Sequence, residues 1–595
     1  MNPHYIDRFT GYEWGRRGPD QRLGDKRNYN GSLSITHNKS GWGGSHELKA
    51  GVEYQPTFGQ ALVWSPGNSI RNWDVWNSNL YFYRGRDGLT APGPFGDGRM
   101  LFGTNGTVEG CCGLAEDMDR SGAFVSDVWR LNDRLTLNLG LRYDRTKSGV
   151  PDVVKTPADP LAVAIGEAVF RPRWGINPFG PLSSAGDADR LPWKGFSGLA
   201  GFAYDLTGDR QTIVKAHFAR YQERLTAWIF NFDIPSGDAT FLMNWWDDNR
   251  NGRPDAPGID RWAQADTASP LGLTGTTWQQ NIDPDIKTPF MNEFRMGVER
   301  QLGDFNVGVA GLYRDRKNQI TDRLYDLKTG KYWSDVDSGY WIPFKTTVPT
   351  AGAGFPAVPV TLYFQSQGAP ARFTRLTNVP DAVGRYTALD ITVNRRWKGD
   401  YMFGGSVVFS KNYGTYDESG ADPGRGQFQT PNFLTNRAGA RQAFDRPLVV
   451  KLWGSVMLPG KVRTSFNFIQ SSGAPWNRTV TVQPPAQWAA ATGAATASET
   501  VWLEPTGARR NQSTANLDLR VEKLFRFGKG HEMGLFADMF NVTGFSYVTY
   551  QSNPGGTWSP DAENTTAGRF TPVSTGARSQ TGVRTFRLSV RYTFN

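Results

Sequence analysis

The chain ends in RTFRLSVRYTFN, residues 584–595, and from Thr585 onward its polar and apolar side chains alternate without a break. Successive side chains of a β-strand point to opposite faces, so one face of this strand is apolar and the other carries two arginines. A soluble sandwich accepts such a strand, but about 10 residues also suffice to cross a bilayer as a tilted strand. We interpret it as a terminal membrane strand. Its apolar face consists of Phe586, Leu588, Val590, Tyr592 and Phe594.

The composition agrees with a membrane barrel and excludes a helical membrane protein. Hydrophobic residues make up 38% of the 595 residues. The sequence contains no apolar run of about 18 residues, which a membrane-spanning helix requires. A barrel strand turns only every second side chain toward lipid, and polar loops dilute the signal further. The 68 glycines, 36 prolines and 21 tryptophans fit a turn-rich fold with aromatic residues at the membrane interfaces.

Alternating segments occur along the chain in seven pairs, each joined by a short turn. The pairs are approximately 30–36/46–55, 121–131/134–144, 197–206/211–221, 289–301/304–316, 385–397/400–412, 446–457/462–471 and 514–525/531–542. Long connections, which we expect to be irregular, separate the pairs. In an up-and-down barrel, consecutive connections lie on opposite rims, so all short turns should share one rim and all long loops the other. Further strands are expected near 73–83, 338–342, 360–365 and 500–504.

The polar faces of these strands carry charges of both signs. An apolar core does not tolerate unpaired charges, so we expect this face to line a lumen that is wet or filled by a polar partner. The predicted lumen-facing residues are Arg142, Asp390, Arg396, Asp518, Arg520 and Glu522.

Several segments resemble TonB-dependent outer-membrane receptors, in particular the Oar-like branch of that family. The segments are AFVSDVWR (123–130), LTLNLGLRYD (135–144), GFAYDLTGD (201–209), IDPDIKTPF (282–290), DRP (445–447), SGAPW (472–476) and DMFN (538–541). Each motif is weak alone, and their order and spacing make the resemblance specific. It extends over nearly the whole chain from about residue 5.

The resemblance implies an all-β, antiparallel up-and-down transmembrane barrel, with about 22 strands in the family. Residues 1–595 would form this one domain, in the bacterial outer membrane. The N-terminus is polar through Asn30 and shows no export signal. We therefore expect the chain to be a fragment. The signal peptide, the family's carboxypeptidase-regulatory-like domain and its plug would then lie outside it.

The resemblance also implies partners. The inner-membrane TonB complex would act through the plug, lipid would surround the barrel, and the barrel-assembly machinery would read the terminal strand. An unidentified extracellular ligand, a peptide or a carbohydrate, would bind the loops. The expected function is passage of that ligand across the outer membrane. The alternatives are a surface or adhesion protein anchored by the barrel, and a passive pore.

One long connection contains a candidate calcium loop. Oxygen-bearing side chains occupy positions 1, 3, 5 and 9 of a calcium-loop pattern, with a glycine at position 6. The glutamate expected at position 12 is replaced by Gly258, and Arg253 would contribute only its carbonyl oxygen. The alternative is a solvated turn. The candidate residues are Asp247, Asn249, Asn251, Arg253 and Asp255.

Tryptophans cluster in the same connection and in the next one. Indole rings on loops stack on sugars or grip peptides, but they also anchor barrels at lipid headgroups or pack loops together. The ligand-contact candidates are Trp245, Trp246, Trp262, Trp278, Trp333 and Trp341.

Other functional classes lack support in the sequence. The net charge is +10, but Lys and Arg are dispersed, whereas nucleic-acid binding needs a clustered basic footprint. The five histidines never have metalloprotease spacing, and no nucleophile elbow or Walker loop occurs, so we expect no enzymatic activity. The adjacent Cys111 and Cys112 could form a vicinal disulfide or stay reduced.

Overall fold

The computed structural model describes residues 4–7, 13–14, 21–64, 70–75, 98–103, 115–149, 153–155, 160–184, 189, 191, 193–225, 229, 240–251, 254–264, 281–348, 357–416, 426–495, 497–528, 530–544, 547–550, 556–558, 570–572, 577–580 and 583–594. Four residues singled out in the sequence, Cys111, Cys112, Arg253 and Trp278, lie outside these ranges.

A 16-stranded antiparallel sheet dominates the structure, and its strands follow one another in space as they do along the chain. The strands are Gln21–Asn28, Gly31–Ser40, Ser45–Trp64, Ala115–Arg130, Leu135–Gly149, Trp193–Asp205, Thr212–Gln222, Phe290–Leu302, Phe305–Lys317, Gly384–Lys398, Tyr401–Gly414, Leu448–Leu458, Val462–Ser471, Thr514–Phe527, His531–Phe540 and Thr585–Phe594. The first two pair with the two halves of the third. This order confirms the antiparallel up-and-down topology and all seven predicted hairpins.

The short turns share one rim of the sheet, as predicted. Ser45, which follows the first turn, pairs with Arg130, which precedes the second. The same relation repeats along the sheet, up to the pairing of His531 with Phe594 at the end of the last strand. The two-residue turn at 303–304 begins with Gly303 at φ 60°, in a region that glycine enters without steric cost.

The described parts of the long connections contain regular elements, which corrects the sequence-based expectation of irregular stretches. Their apolar residues pack the connections against one another and stabilise small elements. Helices span Pro160–Ile165, Arg171–Trp174 and Ala486–Thr492, with a π-helical turn at Gly166–Phe170 and 3₁₀ turns at Val336–Ser338 and Pro431–Leu434.

Small sheets complete the connections. Their strands are His4–Asp7, Glu13–Trp14, Ile70–Val75, Gly98–Gly103, Thr240–Trp246 and Arg261–Gln264; Val153–Lys155 and Leu182–Ser184; Ile320–Asp326, Lys331–Tyr332 and Thr374–Asn378; Trp341–Val348 and Val358–Gln365; Pro475–Trp476 and Arg509–Arg510; Thr479–Val482, Glu499–Trp502, Gly556–Trp558 and Phe570–Pro572; Tyr547–Tyr550 and Ala577–Gln580. The additional strands expected near 338–342, 360–365 and 500–504 are present here, outside the large sheet.

One face of the large sheet exposes a continuous set of apolar side chains. Leu139 and Leu141 are 41% and 52% exposed, and Leu588 in the last strand is 84% exposed. Such a surface is unfavourable in water and suits a hydrocarbon environment. Among the described residues, the structure has no helix that combines the length and the apolar character needed to cross a membrane.

Candidate functional site: the polar wall and the long-loop cap

The face opposite the exposed leucines carries paired charges, and we call it the polar wall. It includes Arg142, Asp390, Asp518, Arg520 and Glu522, which the sequence placed on the lumen side. Residues that pair directly across neighbouring strands point to the same face. The pairing register therefore places all five residues on one face of the sheet. Lining of a lumen by this face stays a prediction.

A buried carboxylate joins three strands at the end of the polar wall. The side chain of Asp538 is 3% exposed and accepts hydrogen bonds from Arg520 Nε at 2.6 Å and Arg587 Nε at 2.9 Å. The three residues are directly opposite one another in the register. Asp538 therefore ties the last strand to its two neighbours through charge-assisted hydrogen bonds.

Glu522 repeats this arrangement nearer the short turns. Its side chain is 2% exposed, accepts a hydrogen bond from Arg463 Nε at 2.8 Å and lies 3.6 Å from Arg591 Nη2. Asp518, farther toward the long connections, accepts from Asn516 Nδ2 at 3.0 Å and from the Asn541 backbone N–H at 2.9 Å. All three carboxylates of this region thus have hydrogen-bond donors.

The opposite part of the sheet has its own charge pairs. Arg142 Nε donates to Asp144 Oδ1 at 2.8 Å, and its Nη2 lies 2.9 Å from Glu53 Oε2. Arg295 Nη1 lies 3.2 Å from Asp390 Oδ2. These arginines and carboxylates lie close enough to compensate each other's charge, so the sheet can hold them together on a single face.

A β-bulge changes the environment of Arg396. The pairing register of its strand shifts between Arg395 and Lys398, and Arg396 is exposed within that interval. The neighbouring Arg395 is buried instead, with its guanidinium 3.6 Å from the ring centre of Tyr401 and 3.6 Å from Asp304. A bulge of this kind is not readable from simple alternation.

Sequence reasoning missed two acceptors on the polar wall, Asp538 and Glu293. Glu293 is 7% exposed and accepts from His217 Nε2 at 3.0 Å and Arg314 Nε at 2.5 Å. Side chains alternate between the two faces along Phe290–Leu302, so Glu293 lies on the same face as Arg295. This pattern could have identified Glu293 from the sequence.

Three long connections, 318–383, 415–447 and 472–513, pack together, and we call their described residues the long-loop cap. The hairpin Trp341–Val348/Val358–Gln365 lies against the helix Ala486–Thr492, with the rings of Phe344 and Phe364 4.8 and 5.7 Å from Trp488. The backbone N–H of Ala495 donates to Gln365 O at 2.7 Å. The first and third connections therefore share one apolar core.

The second connection joins them through Asn432. This residue is 2% exposed, and its Nδ2 donates to Tyr363 O at 2.8 Å and to Glu499 Oε2 at 3.0 Å. Burial raises the pKa of the Glu499 carboxyl, and the Asn432 hydrogen bond partly opposes that shift. Asp322 of the first connection accepts from the Gly426 N–H of the second at 2.6 Å. The cap is thus one packed body.

The candidate tryptophans differ in accessibility. Trp245 and Trp333 are 1% exposed and Trp341 is 4% exposed, so the connections would have to open before these rings touched a ligand. Their packing within the connections explains the burial: Trp341 stacks on Trp333 and donates from Nε1 to the Trp333 carbonyl oxygen at 2.8 Å. Trp246 and Trp262 are half-buried, and ligand contact stays a prediction for them.

The candidate calcium loop brings four of its predicted residues together. Asn249 Nδ2 and Asn251 Nδ2 donate to Asp255 Oδ2 at 2.7 and 2.6 Å, and the Asn251 N–H donates to Asp247 Oδ1 at 3.1 Å. Within the described ranges, no group of three or more His, Cys, Asp or Glu side chains is arranged to hold a metal ion. A calcium site here would depend on asparagine oxygens.

The family model for the outer membrane beta barrel domain matches residues 6–477 of this chain. The chain belongs to that family. Family members of this kind reside in the bacterial outer membrane, which accounts for the exposed apolar face of the sheet. A curated relative, the TonB-dependent transporter Oar of Myxococcus xanthus, is 23% identical over 580 residues. That match covers 91% of this chain and 45% of Oar, so the barrel spans less than half of its relative.

One solved structure supports the fold, and a second is a weaker match. The outer membrane transporter YddB from Escherichia coli matches with a TM-score of 0.50 and 13% identity, over 99% of this chain and 58% of YddB. The ferric-catecholate import receptor Fiu from E. coli K12 matches with a TM-score of 0.45 and 13% identity, over 96% and 55% of the two chains. Oar, the curated relative, is a transporter rather than an enzyme.

Proposed function

We propose that this barrel is part of a TonB-dependent transporter that captures an extracellular ligand on the long-loop cap and passes it across the outer membrane. The similarity to Oar over 91% of the chain carries the proposal. The energy would come from the TonB complex, acting through a plug supplied outside these 595 residues. The polar wall offers such a plug paired charges and hydrogen-bonding groups.

The cap supports a capture role because it is a folded surface. Asn432 and Asp322 hold its three connections in fixed positions, and a preorganised surface loses less entropy when a ligand binds. Loops that served only to connect strands would not need buried polar residues joining three of them.

Comparative depletion of the growth medium tests the proposal. Cells producing the full-length protein, a strain lacking its gene and a strain lacking TonB are grown in the same complex medium. We expect the same class of molecule to remain in the medium of both mutants. Normal depletion by the gene-deleted strain, together with a loss of surface attachment, would instead identify an anchoring protein.

A further inference from the structure

A small cavity lies within the long-loop cap, where the second and third connections meet. Its volume is about 90 Å³, which is room for roughly three water molecules or one tetrahedral oxyanion. The cavity is lined by Arg437, Arg441, Trp476, Asn477, Trp502 and Thr506.

Positive charge predominates around this cavity. Six guanidinium groups belong to the cluster, against two carboxylates from the described part of the chain. The arginines are Arg437, Arg441, Arg446, Arg478, Arg509 and Arg510, and the carboxylates are Asp445 and Glu504. Burial and the neighbouring Arg510 lower the pKa of Arg446, an effect consistent with this excess of positive charge.

Both carboxylates are already engaged by donors. Asp445 has a fully buried side chain and accepts from Arg510 Nη2 at 2.5 Å and from the Asn412 N–H at 2.6 Å. Glu504 accepts from Arg509 Nε at 2.6 Å and lies 3.5 Å from Arg478 Nε. They hold Arg509 and Arg510 in place beside the cavity.

Arg441 is the side chain that faces the cavity with an unmet hydrogen bond. Its Nη1 is buried and has no hydrogen-bond partner among the described residues, while its Nε is 4.0 Å from Asp445. Arg437 is fixed beside it, with its guanidinium 3.9 Å from the ring centre of Phe433 and 3.6 Å from that of Trp502. A buried N–H of a charged group without an acceptor is unfavourable, so the site favours an acceptor that carries negative charge.

We propose that this cavity binds the oxyanion group, a carboxylate or a phosphate, of the ligand that the cap captures. Planar guanidinium groups bind both anions through paired N–H donors, and the rings of Trp476 and Trp502 beside them restrict water. The inference names a ligand class for the proposed capture function and rests on that function. The oxyanion can belong to a free solute or to a lipid headgroup, and both present the same chemistry.

Calorimetric titration of the whole folded chain in an uncharged detergent tests this site. The probes are sodium phosphate and sodium acetate, with sodium chloride at equal ionic strength as the reference. We expect phosphate or acetate to bind one per chain, and Arg441→Gln to weaken that binding about tenfold or more. The control is Arg171→Gln, because Arg171 lies in another connection and pairs with Glu167. It should bind like the wild type.

Arg441→Lys keeps the positive charge but lacks the planar guanidinium group, and it is the variant to use if Arg441→Gln does not fold. It should also bind the oxyanion more weakly than wild type.

Titration with dihexanoyl phosphatidic acid distinguishes a lipid headgroup from a free anion. Binding tighter than that of phosphate indicates a lipid headgroup, and equal binding indicates a free anion. Oxyanions that bind no better than chloride, or an Arg441→Gln variant that binds like wild type, would overturn the proposal. Depletion of the medium is a separate measurement, so the transport function can survive that result.

Discussion

Arg587 Nε lies 2.9 Å from Asp538 Oδ2, and this ion pair ties the last strand of the sheet to the strand His531–Phe540. The carboxylate is almost fully buried, whereas the Arg587 side chain is 54% exposed. Arg520 approaches the same carboxylate from the other side. Asp538 is therefore the centre of a cross-strand contact that no single strand contains.

Removing the charge of Asp538 should destabilise the barrel. Asp538→Asn leaves Arg520 and Arg587 without their shared anion, and we expect the free energy of unfolding to fall by about 2 kcal/mol. Urea titration in detergent measures the change. Glu532→Gln in the same strand is the control, because its partner Arg526 is 71% exposed and the loss should stay below about 0.5 kcal/mol. Equal losses would argue against a special role for Asp538.

The last strand should tolerate arginine on only one face. Leu588 is on the apolar face near the middle of the strand, so Leu588→Arg should cost about 2–4 kcal/mol in a bilayer. Ser589→Arg places the same side chain on the polar wall and should cost much less. Folding titrations into lipid vesicles compare the two variants. Similar losses would contradict the assignment of the faces.

A lumen lined by the polar wall should conduct ions unless a partner fills that lumen. Exported and reconstituted as it stands, the chain should form a large pore or an unstable barrel. Adding the plug in cis should close the pore and raise stability, because a partner that binds only the folded state shifts the equilibrium toward it. Single-channel recordings in planar bilayers measure both forms. A chain that is closed without the plug would favour the anchoring function.

The loop 247–255 should bind calcium if its asparagine oxygens turn toward Asp247 and Asp255. Terbium stands in for calcium, and Trp245, Trp246 and Trp262 lie close enough in the chain to sensitise its luminescence. We expect a calcium-competed signal that Asp255→Ala abolishes and that Asp337→Ala, in another connection, preserves. A signal unchanged by Asp255→Ala would identify the loop as a solvated turn.

Glu499 should make the cap less stable as the pH rises. Burial raises the pKa of its carboxyl in the folded protein. The folded state therefore favours the protonated form, and the associated stability is complete below the unfolded pKa and is lost as the pH rises through the folded pKa. Glu499→Gln should increase hydrogen-exchange protection of 358–365 at pH 7 and match wild type at pH 4. The control Glu167→Gln should leave that protection unchanged; a Glu499→Gln variant less protected at pH 7 would reverse the assigned sign.

The barrel was readable from the sequence because its signal is local. A membrane strand must alternate along about ten residues, and a hairpin needs only a few turn residues between two such strands. The segments 514–525 and 531–542 therefore predicted the strands Thr514–Phe527 and His531–Phe540 within a few residues. The faces of Leu588 and Arg587 follow from the same period.

The cap and the charge clusters were decided by tertiary structure. Asp445 and Arg510 are 65 residues apart, and nothing in their local sequence indicates that they meet. The same holds for Asn432 and Glu499, and for the burial of Trp333, for which the sequence left ligand contact, interfacial anchoring and loop packing open. Such contacts depend on which connections the barrel places side by side at one rim. Alternation along a strand determines which side chains share a face. The partners of a buried charge are determined only by the tertiary packing of connections that are distant in the sequence.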